Sequence, residues 1–181
     1  MVNLPTEEEE ADRALVSQMI YLKKTRTSHI NRLHSVYHKA GIVDLTKKDL
    51  KTEKNRRECM SMMSGTIYAA EIEQLEKMIL NVEESIAELD EKKREALNRN
   101  EYAEVLLSIP GVGPEFAITF FAYVGDGSRF SHASQVSNYA GLVPRVDISG
   151  DSKRYGNITK RGCTQIRRVA VQAAWALVSS K

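Results

Sequence analysis

"EIEQLEKMILNVEESIAELDEK", residues 71–92, decides the fold. Ile72, Leu75, Ile79, Val82, Ile86 and Leu89 alternate steps of three and four, with Glu and Lys filling the flanks. Only a helix gathers positions so spaced onto one face, because a strand would need every second residue apolar. Ile at the first core position of each heptad and Leu or Val at the second favours a parallel two-stranded coil. An antiparallel partner elsewhere in the same chain fits equally well. Three heptads are marginal alone, so the stretch predicts either self-association or a long helix packed within its own domain.

Working upstream, residues 8–40 read as a second long helix. Pro5-Thr6 opens it, Glu7 to Glu10 sit where the helix dipole favours negative charge, and Gly41 is a stop signal. Leu15, Met19, Leu22, Ile30, Leu33 and Tyr37 recur at helical spacing. Residues 41–65, including "DLTKKDLKTEKNRRE", are charged and weakly periodic and predict a linker with at most one short helix. The expected organisation is a helical, coiled-coil region over 1–100 and a separate C-terminal domain over 101–181.

Composition bounds the function. Hydrophobic residues at 42% and charged residues at 28% describe a folded, soluble chain. No apolar run is long enough to span a bilayer, and the acidic start lacks the pattern of a signal peptide, so a cytoplasmic protein is expected. Cys59 and Cys163 form no CxxC motif and suggest neither a zinc site nor a disulfide framework. His34 and His38 lie one helical turn apart, with His29 on the same helix, but no carboxylate or cysteine completes a ligand set around them or around His132.

Charge is unevenly placed. Residues 1–100 hold 17 Lys and Arg against 18 Asp and Glu, whereas 101–181 hold nine against six. The excess lies in Arg145, Lys153, Arg154, Lys160, Arg161, Arg167 and Arg168, interleaved with glycines. Cations beside bare backbone are what a phosphate chain attracts.

Two elements of that C-terminal region stand out. "EVLLSIPGVGPEFAITFFAYVG", residues 104–125, places Gly111 and Gly113 in a tight turn between apolar segments. It resembles a helix-hairpin-helix element, which holds a nucleic-acid backbone through main-chain amides. "VDISGDSKRYGNITKRG", residues 146–162, sets Ser149 before Gly150 among Lys153, Arg154, Lys160 and Arg161, with Ser152 close by. A serine can attack a phosphodiester when one group takes its proton and cations neutralise the crowded phosphorus. The cations are present, but no histidine lies nearby, and spacing alone favours an ordinary turn serine. A short helix near 134–140 precedes this stretch, ended by Gly141 and Pro144. "TQIRRVAVQAAWALVSS", 164–180, follows as a closing helix with Ile166, Val169, Ala170, Ala173, Ala174 and Leu177 on its docking stripe and Trp175 expected in packing.

The order "LLSIPGVGPEFAITFFAYVGD" (106–126) followed by "YAGLVPRVDISGDSKRYGNITKRGCTQIRRVAVQAAW" (139–175) closely resembles the C-terminal domain of the insertion-sequence one-ten family of transposases. "DRALVSQMIYLKKTRTSHINRLHSVYHKAGI" (12–42) is similar to that family's middle helical region. The resemblance implies that Ser149 is the nucleophile joined covalently to DNA during strand exchange, although Ser152 stays a rival. It implies a guide RNA as well as DNA. It also implies magnesium held by four acidic residues of a separate, resolvase-like N-terminal domain. That domain has no counterpart here, because Met1 falls about where the family's middle helices begin; no cofactor is expected on this chain itself. One smaller departure is Cys163, where relatives more often carry Asn or Asp.

The sequence therefore predicts a mainly α protein. Long helices form a coiled-coil region, and a small helical domain follows with a helix-hairpin-helix-like turn and a glycine-rich basic loop. Its expected role is that of a partial transposase, with Gly111, Gly113, Lys153, Arg154, Lys160, Arg161, Arg167 and Arg168 on nucleic acid and Ser149 as nucleophile. It would be inactive alone and would associate with itself or with a full-length transposase. The alternatives are a non-catalytic DNA- or RNA-binding assembly module and a helical scaffold whose basic loop only keeps it soluble.

Overall fold

A computed structural model describes residues 4–149 and 152–179. It is mainly helical: α1 (Glu7–Lys39), α2 (Glu53–Ser61), α3 (Ala69–Asn98), α4 (Ala103–Leu107), α5 (Pro114–Val124) and α6 (Ala133–Ala140) precede a two-stranded ribbon, β1 (Pro144–Ser149) and β2 (Ser152–Ile158), and α7 (Thr164–Ser179) closes the chain. Compactness divides it into two units, Ser17–Glu91 and Met1–Val16 with Lys92–Lys181.

The start of α1 shows how local chemistry sets a boundary. Thr6 Oγ1 accepts from the Glu9 amide at 3.1 Å, and the Thr6 amide donates back to Glu9 Oε2 at 3.2 Å. This reciprocal box satisfies two of the amides that a helix start leaves bare. The run of glutamates thus serves both the dipole and the cap.

In the unit Ser17–Glu91, the heptad face of α3 is used inside the chain. Ile72, Leu75 and Ile79 are buried with Ile30, Leu33, Val36 and Tyr37 of α1. Arg26 pairs with Glu83 and Arg32 with Glu71, so later residues of α1 meet earlier residues of α3 and the helices run antiparallel. The antiparallel alternative read from the sequence accounts for this part of the seam. The charged segment 41–65 does contain one short helix, α2, capped by Thr52. It is more than a connector, since Leu50, Cys59 and Met63 join the same core.

Arg56 is buried within that core and forms ion pairs with Glu76 at 2.8 Å and Glu83 at 2.7 Å. Its Nη1 also donates toward the carbonyls of Leu50 and Lys51. The guanidinium fork has enough donors to serve all these acceptors. Nearby, burial pushes the Tyr37 hydroxyl well above the ordinary tyrosine range, and that hydroxyl has no hydrogen-bond partner among the described residues. His34 Nε2 donates to the Leu45 carbonyl at 2.9 Å, which ties the helix to the following segment.

In the other unit, α5 begins at Pro114, where the missing amide of proline costs nothing. Its residues Ala117, Ile118, Phe121, Ala122 and Val124 are buried. Val124, Ala140 of α6 and Ile166 of α7 form a core that Phe120, Tyr123, Phe130, Tyr139 and Leu142 close over. On α7 the docking stripe holds at Ile166 and Val169 and thins out beyond them, with Leu177 43% exposed. Trp175, expected in packing, is 67% exposed. Among the described residues, no helix is long and apolar enough to cross a membrane.

Candidate nucleic-acid interface

Much of the stretch 146–162, read from the sequence as a glycine-rich basic loop, lies in an antiparallel ribbon made of Pro144–Ser149 and Ser152–Ile158. Val146 pairs with Tyr155, Asp147 with Arg154, Ile148 with Lys153, and Ser149 with Ser152. Alternation of β-branched residues with polar ones supplies the strand pattern. The register shifts between Pro144 and Val146, where Gly156 and Asn157 of β2 span the single residue Arg145. Such a bulge bends and twists a ribbon. Gly150, which links the strands with Asp151, lies outside the described residues.

Because paired residues share a face and neighbours alternate, the register sorts the side chains. Ser149, Ser152, Asp147 and Arg154 line one face. Val146, Ile148, Lys153 and Tyr155 line the other, and the Lys153 ammonium indeed lies 5.3 Å from the centre of the Tyr155 ring. Ser149 is exposed, as is all of β1. Arg154 shares the face of Ser149 and sits one rung away, roughly 7 Å along the strand. Lys153 does not share it. Lys160 and Arg161 are exposed beyond the other end of the ribbon. At the strand rise, Pro144 alone is about 17 Å from Ser149, so the structure does not bring Lys160 or Arg161 to the serine.

The base of the ribbon is locked to the helices. The amides of Thr159, Lys160 and Cys163 donate to the carbonyls of Val143, Gly141 and Tyr139 at 2.8, 3.0 and 2.7 Å. Gly141 caps α6 in the left-handed region (φ 67°), and a Cβ there would stand 2.6 Å from the Arg161 carbonyl oxygen. Gly162 (φ +139°) is tighter still, with the Tyr139 carbonyl oxygen 2.2 Å from where a Cβ would be. Lys160 holds φ 55° without being glycine, a costly conformation that surrounding contacts must impose.

Two further cations expected on nucleic acid have structural surroundings. Arg167 is half-buried, and its Nη1 donates to the Ala140 carbonyl at 2.8 Å and its Nη2 to Thr164 Oγ1 at 3.1 Å. Arg168 is also half-buried, and its Nε is buried without a hydrogen-bond partner among the described residues.

Gly111 and Gly113 lie in the turn between α4 and α5. Gly111 has φ +83°, and a Cβ there would stand 2.5 Å from the Ala173 carbonyl oxygen of α7. The residue thus lets α7 approach the turn. Gly113 is the N-cap of α5 with open space around it, and the Val112 amide is spent on the Ile109 carbonyl. Ala173 lies nine residues beyond Thr164, which is beside the ribbon base, and so roughly 14 Å along α7. The two glycine-bearing elements therefore meet α7 at different levels.

Sequence reasoning missed Arg129. Its guanidinium stacks 4.7 Å from the Phe130 ring centre and 5.0 Å from that of Tyr139, and it donates to the Tyr123 carbonyl. The available signal was an arginine directly before a phenylalanine in an otherwise polar segment. Arg13 does similar work from α1, with Nε donating to the Ala122 carbonyl at 2.7 Å. Among the described residues, no group of three or more His, Cys, Asp or Glu side chains could hold a metal ion.

Residues 103–181 match the model of the transposase IS116/IS110/IS902 family. The transposase for insertion sequence element IS1111A of Coxiella burnetii is 36% identical over 100 residues, 55% of this chain and 28% of that protein. A probable family 20 transposase of Pseudomonas aeruginosa is 26% identical over 188 residues, covering 98% of this chain and 53% of the relative. The pilin gene-inverting protein of Moraxella bovis is 33% identical over 110 residues, 59% of this chain and 32% of that protein. The chain thus spans about half the length, or less, of these relatives. The ribbon, its locked base and α4 to α7 all lie inside the segment that matches the transposase IS116/IS110/IS902 family model.

Proposed function

We propose that this chain is the DNA-binding, serine-bearing part of an insertion-sequence transposase, acting in transposition by transesterification at Ser149. The observation that carries the reading is the placement of Ser149: exposed near the tip of a cationic ribbon, with Arg154 on the same face, on a base fixed by three backbone hydrogen bonds. In the step proposed, Ser149 Oγ forms a bond to phosphorus as the bond to a deoxyribose oxygen breaks. The departing oxygen takes up a proton, and the serine proton passes to a base. Arg154 is placed to offset charge on the phosphate oxygens.

A proton acceptor and metal-binding carboxylates come from an acidic domain beyond these residues. The family resemblance implies magnesium as the ion and a guide RNA as a second nucleic-acid partner, and both are part of the reading proposed here. Among the described residues no cluster of His, Cys, Asp or Glu side chains fits a metal ion, so its ligands would have to come from that other domain. That a relative is named for inverting a pilin gene supports DNA rearrangement as the outcome.

The test supplies the chain with the acidic domain of a family transposase and end-labelled DNA, then separates the products under denaturing conditions. A covalent chain–DNA adduct is expected with the native sequence and absent with Ser149→Ala, which still binds DNA. An adduct that persists in Ser149→Ala sinks the assignment, and strand exchange by the chain alone sinks its dependence on an outside domain. No adduct at all with either sequence favours a non-catalytic binding module.

A further inference from the structure

The ribbon face turned away from Ser149 has no role in the chemistry above. Val146 is 43% exposed, Ile148 70% and Tyr155 66%. A two-stranded ribbon is marginal in water unless a hydrophobic face of it is packed, and here the exposed apolar residues share one side.

We propose that Val146, Ile148, Lys153 and Tyr155 form a platform for unpaired DNA bases, with Tyr155 as the ring on which a base stacks. The inference rests on the reading that this ribbon meets DNA. Three observations select the occupant. First, the surroundings are cationic: Arg145, Lys153, Arg154, Lys160 and Arg161 stand against Asp147 and Asp151, which favours a polyanion over an acid-poor peptide. Second, a ring flanked by aliphatic side chains and a cation is the combination that holds single strands, since every base offers a π face while the cation meets its phosphate. Within a duplex those faces are covered by stacking, leaving only edges and phosphates to a ribbon. Third, the platform lies on the opposite face of the same ribbon that carries Ser149, so under the function proposed above the nucleic acid brought to this ribbon is DNA.

The complete 181-residue chain should quench 2-aminopurine placed in a short single strand of deoxythymidines at low salt. A duplex of the same length should bind without quenching. Tyr155→Phe keeps the ring and should bind within about twofold, whereas Tyr155→Leu keeps apolar bulk on the strand but should lose affinity roughly tenfold or more, together with the quenching. Native affinity in Tyr155→Leu overturns the proposal. So does tighter binding of the matching RNA strand, or preference for an acidic polypeptide. Ser149→Ala should leave the quenching unchanged, so failure of the platform and failure of the nucleophile assignment are separately visible.

Discussion

The Arg167 guanidinium donates to the carbonyl oxygen of Ala140, 27 residues earlier, across a gap of 2.8 Å. Ala140 ends α6 and Arg167 lies in the first turn of α7, so this bond ties together the two helices from which the ribbon springs, while a companion bond to Thr164 within α7 orients the guanidinium. Arg167→Ala should therefore lower stability by about 1–3 kcal/mol in urea unfolding and hasten proteolysis within the ribbon. The dependence of DNA affinity on salt concentration should keep its slope. Arg154→Ala should do the opposite, reducing the slope by about one phosphate contact with little loss of stability. A reduced slope in Arg167→Ala would place that guanidinium on phosphate after all.

Gly162 and Gly41 both hold positive φ, and they separate backbone strain from crowding. Gly41 has nothing within 4 Å of a new Cβ, while Gly162 has the Tyr139 carbonyl oxygen at 2.2 Å. Gly41→Ala should cost only the left-handed conformation, roughly 1 kcal/mol. Gly162→Ala adds a collision with backbone and should push the Cys163–Tyr139 hydrogen bond apart. Its thermal midpoint should fall clearly further, with loss of slowly exchanging amides at Thr159 and Lys160. Equal shifts in the two variants would mean the ribbon base yields more readily than its geometry indicates.

Much of the helical frame was legible because helix signals are local. The apolar spacing on α3, the Pro5-Thr6 start of α1 and Gly141 after α6 each act within a few residues. The ribbon was less legible, since Gly150, Gly156 and Gly162 also describe a loop and only pairing with a partner strand makes 144–149 extended. Arg167 shows the same limit at the site. Charge beside glycine suggested phosphate, but whether a guanidinium faces solvent or its own backbone depends on Ala140, which no pattern around residue 167 reveals. Ser149 was singled out by resemblance rather than spacing, and the register adds what neither could, namely which cation shares its face.

Glu83 gives the unit Ser17–Glu91 a dependence on acidity with a definite sign. Burial raises its pKa, but hydrogen bonds and charge from Arg56 and Arg26 outweigh that and hold it below the ordinary value of 4.5. A carboxylate whose folded pKa is depressed contributes fully above the unfolded value and loses that contribution as pH falls through the folded one. Stability should therefore decline below about pH 4.5, and Glu83→Gln should flatten the decline while lowering stability at neutral pH. Arg56→Met, which leaves Glu83 with Arg26 alone and takes from Glu76 the guanidinium it pairs with, should cost about 3 kcal/mol or more at pH 7. Identical acid profiles for Glu83→Gln and the native chain would show that other carboxylates govern the transition.

Lys160 offers a test in which stability and function should move in opposite directions. Its φ of 55° is the one positive value among the described non-glycine residues, and its amide bond to the Gly141 carbonyl needs no side chain. Lys160→Gly keeps that bond and removes the cost of placing a Cβ in the left-handed region, so it should stabilise the chain by up to roughly 1 kcal/mol. If the lysine is kept there for phosphate, DNA affinity should fall several-fold and the salt slope should drop by about one contact. Lys160→Arg separates the two effects, because it retains both the strain and the charge. It should match the native chain in both measurements, and a stability gain in Lys160→Gly with unchanged DNA binding would show that the strained lysine serves neither partner nor fold.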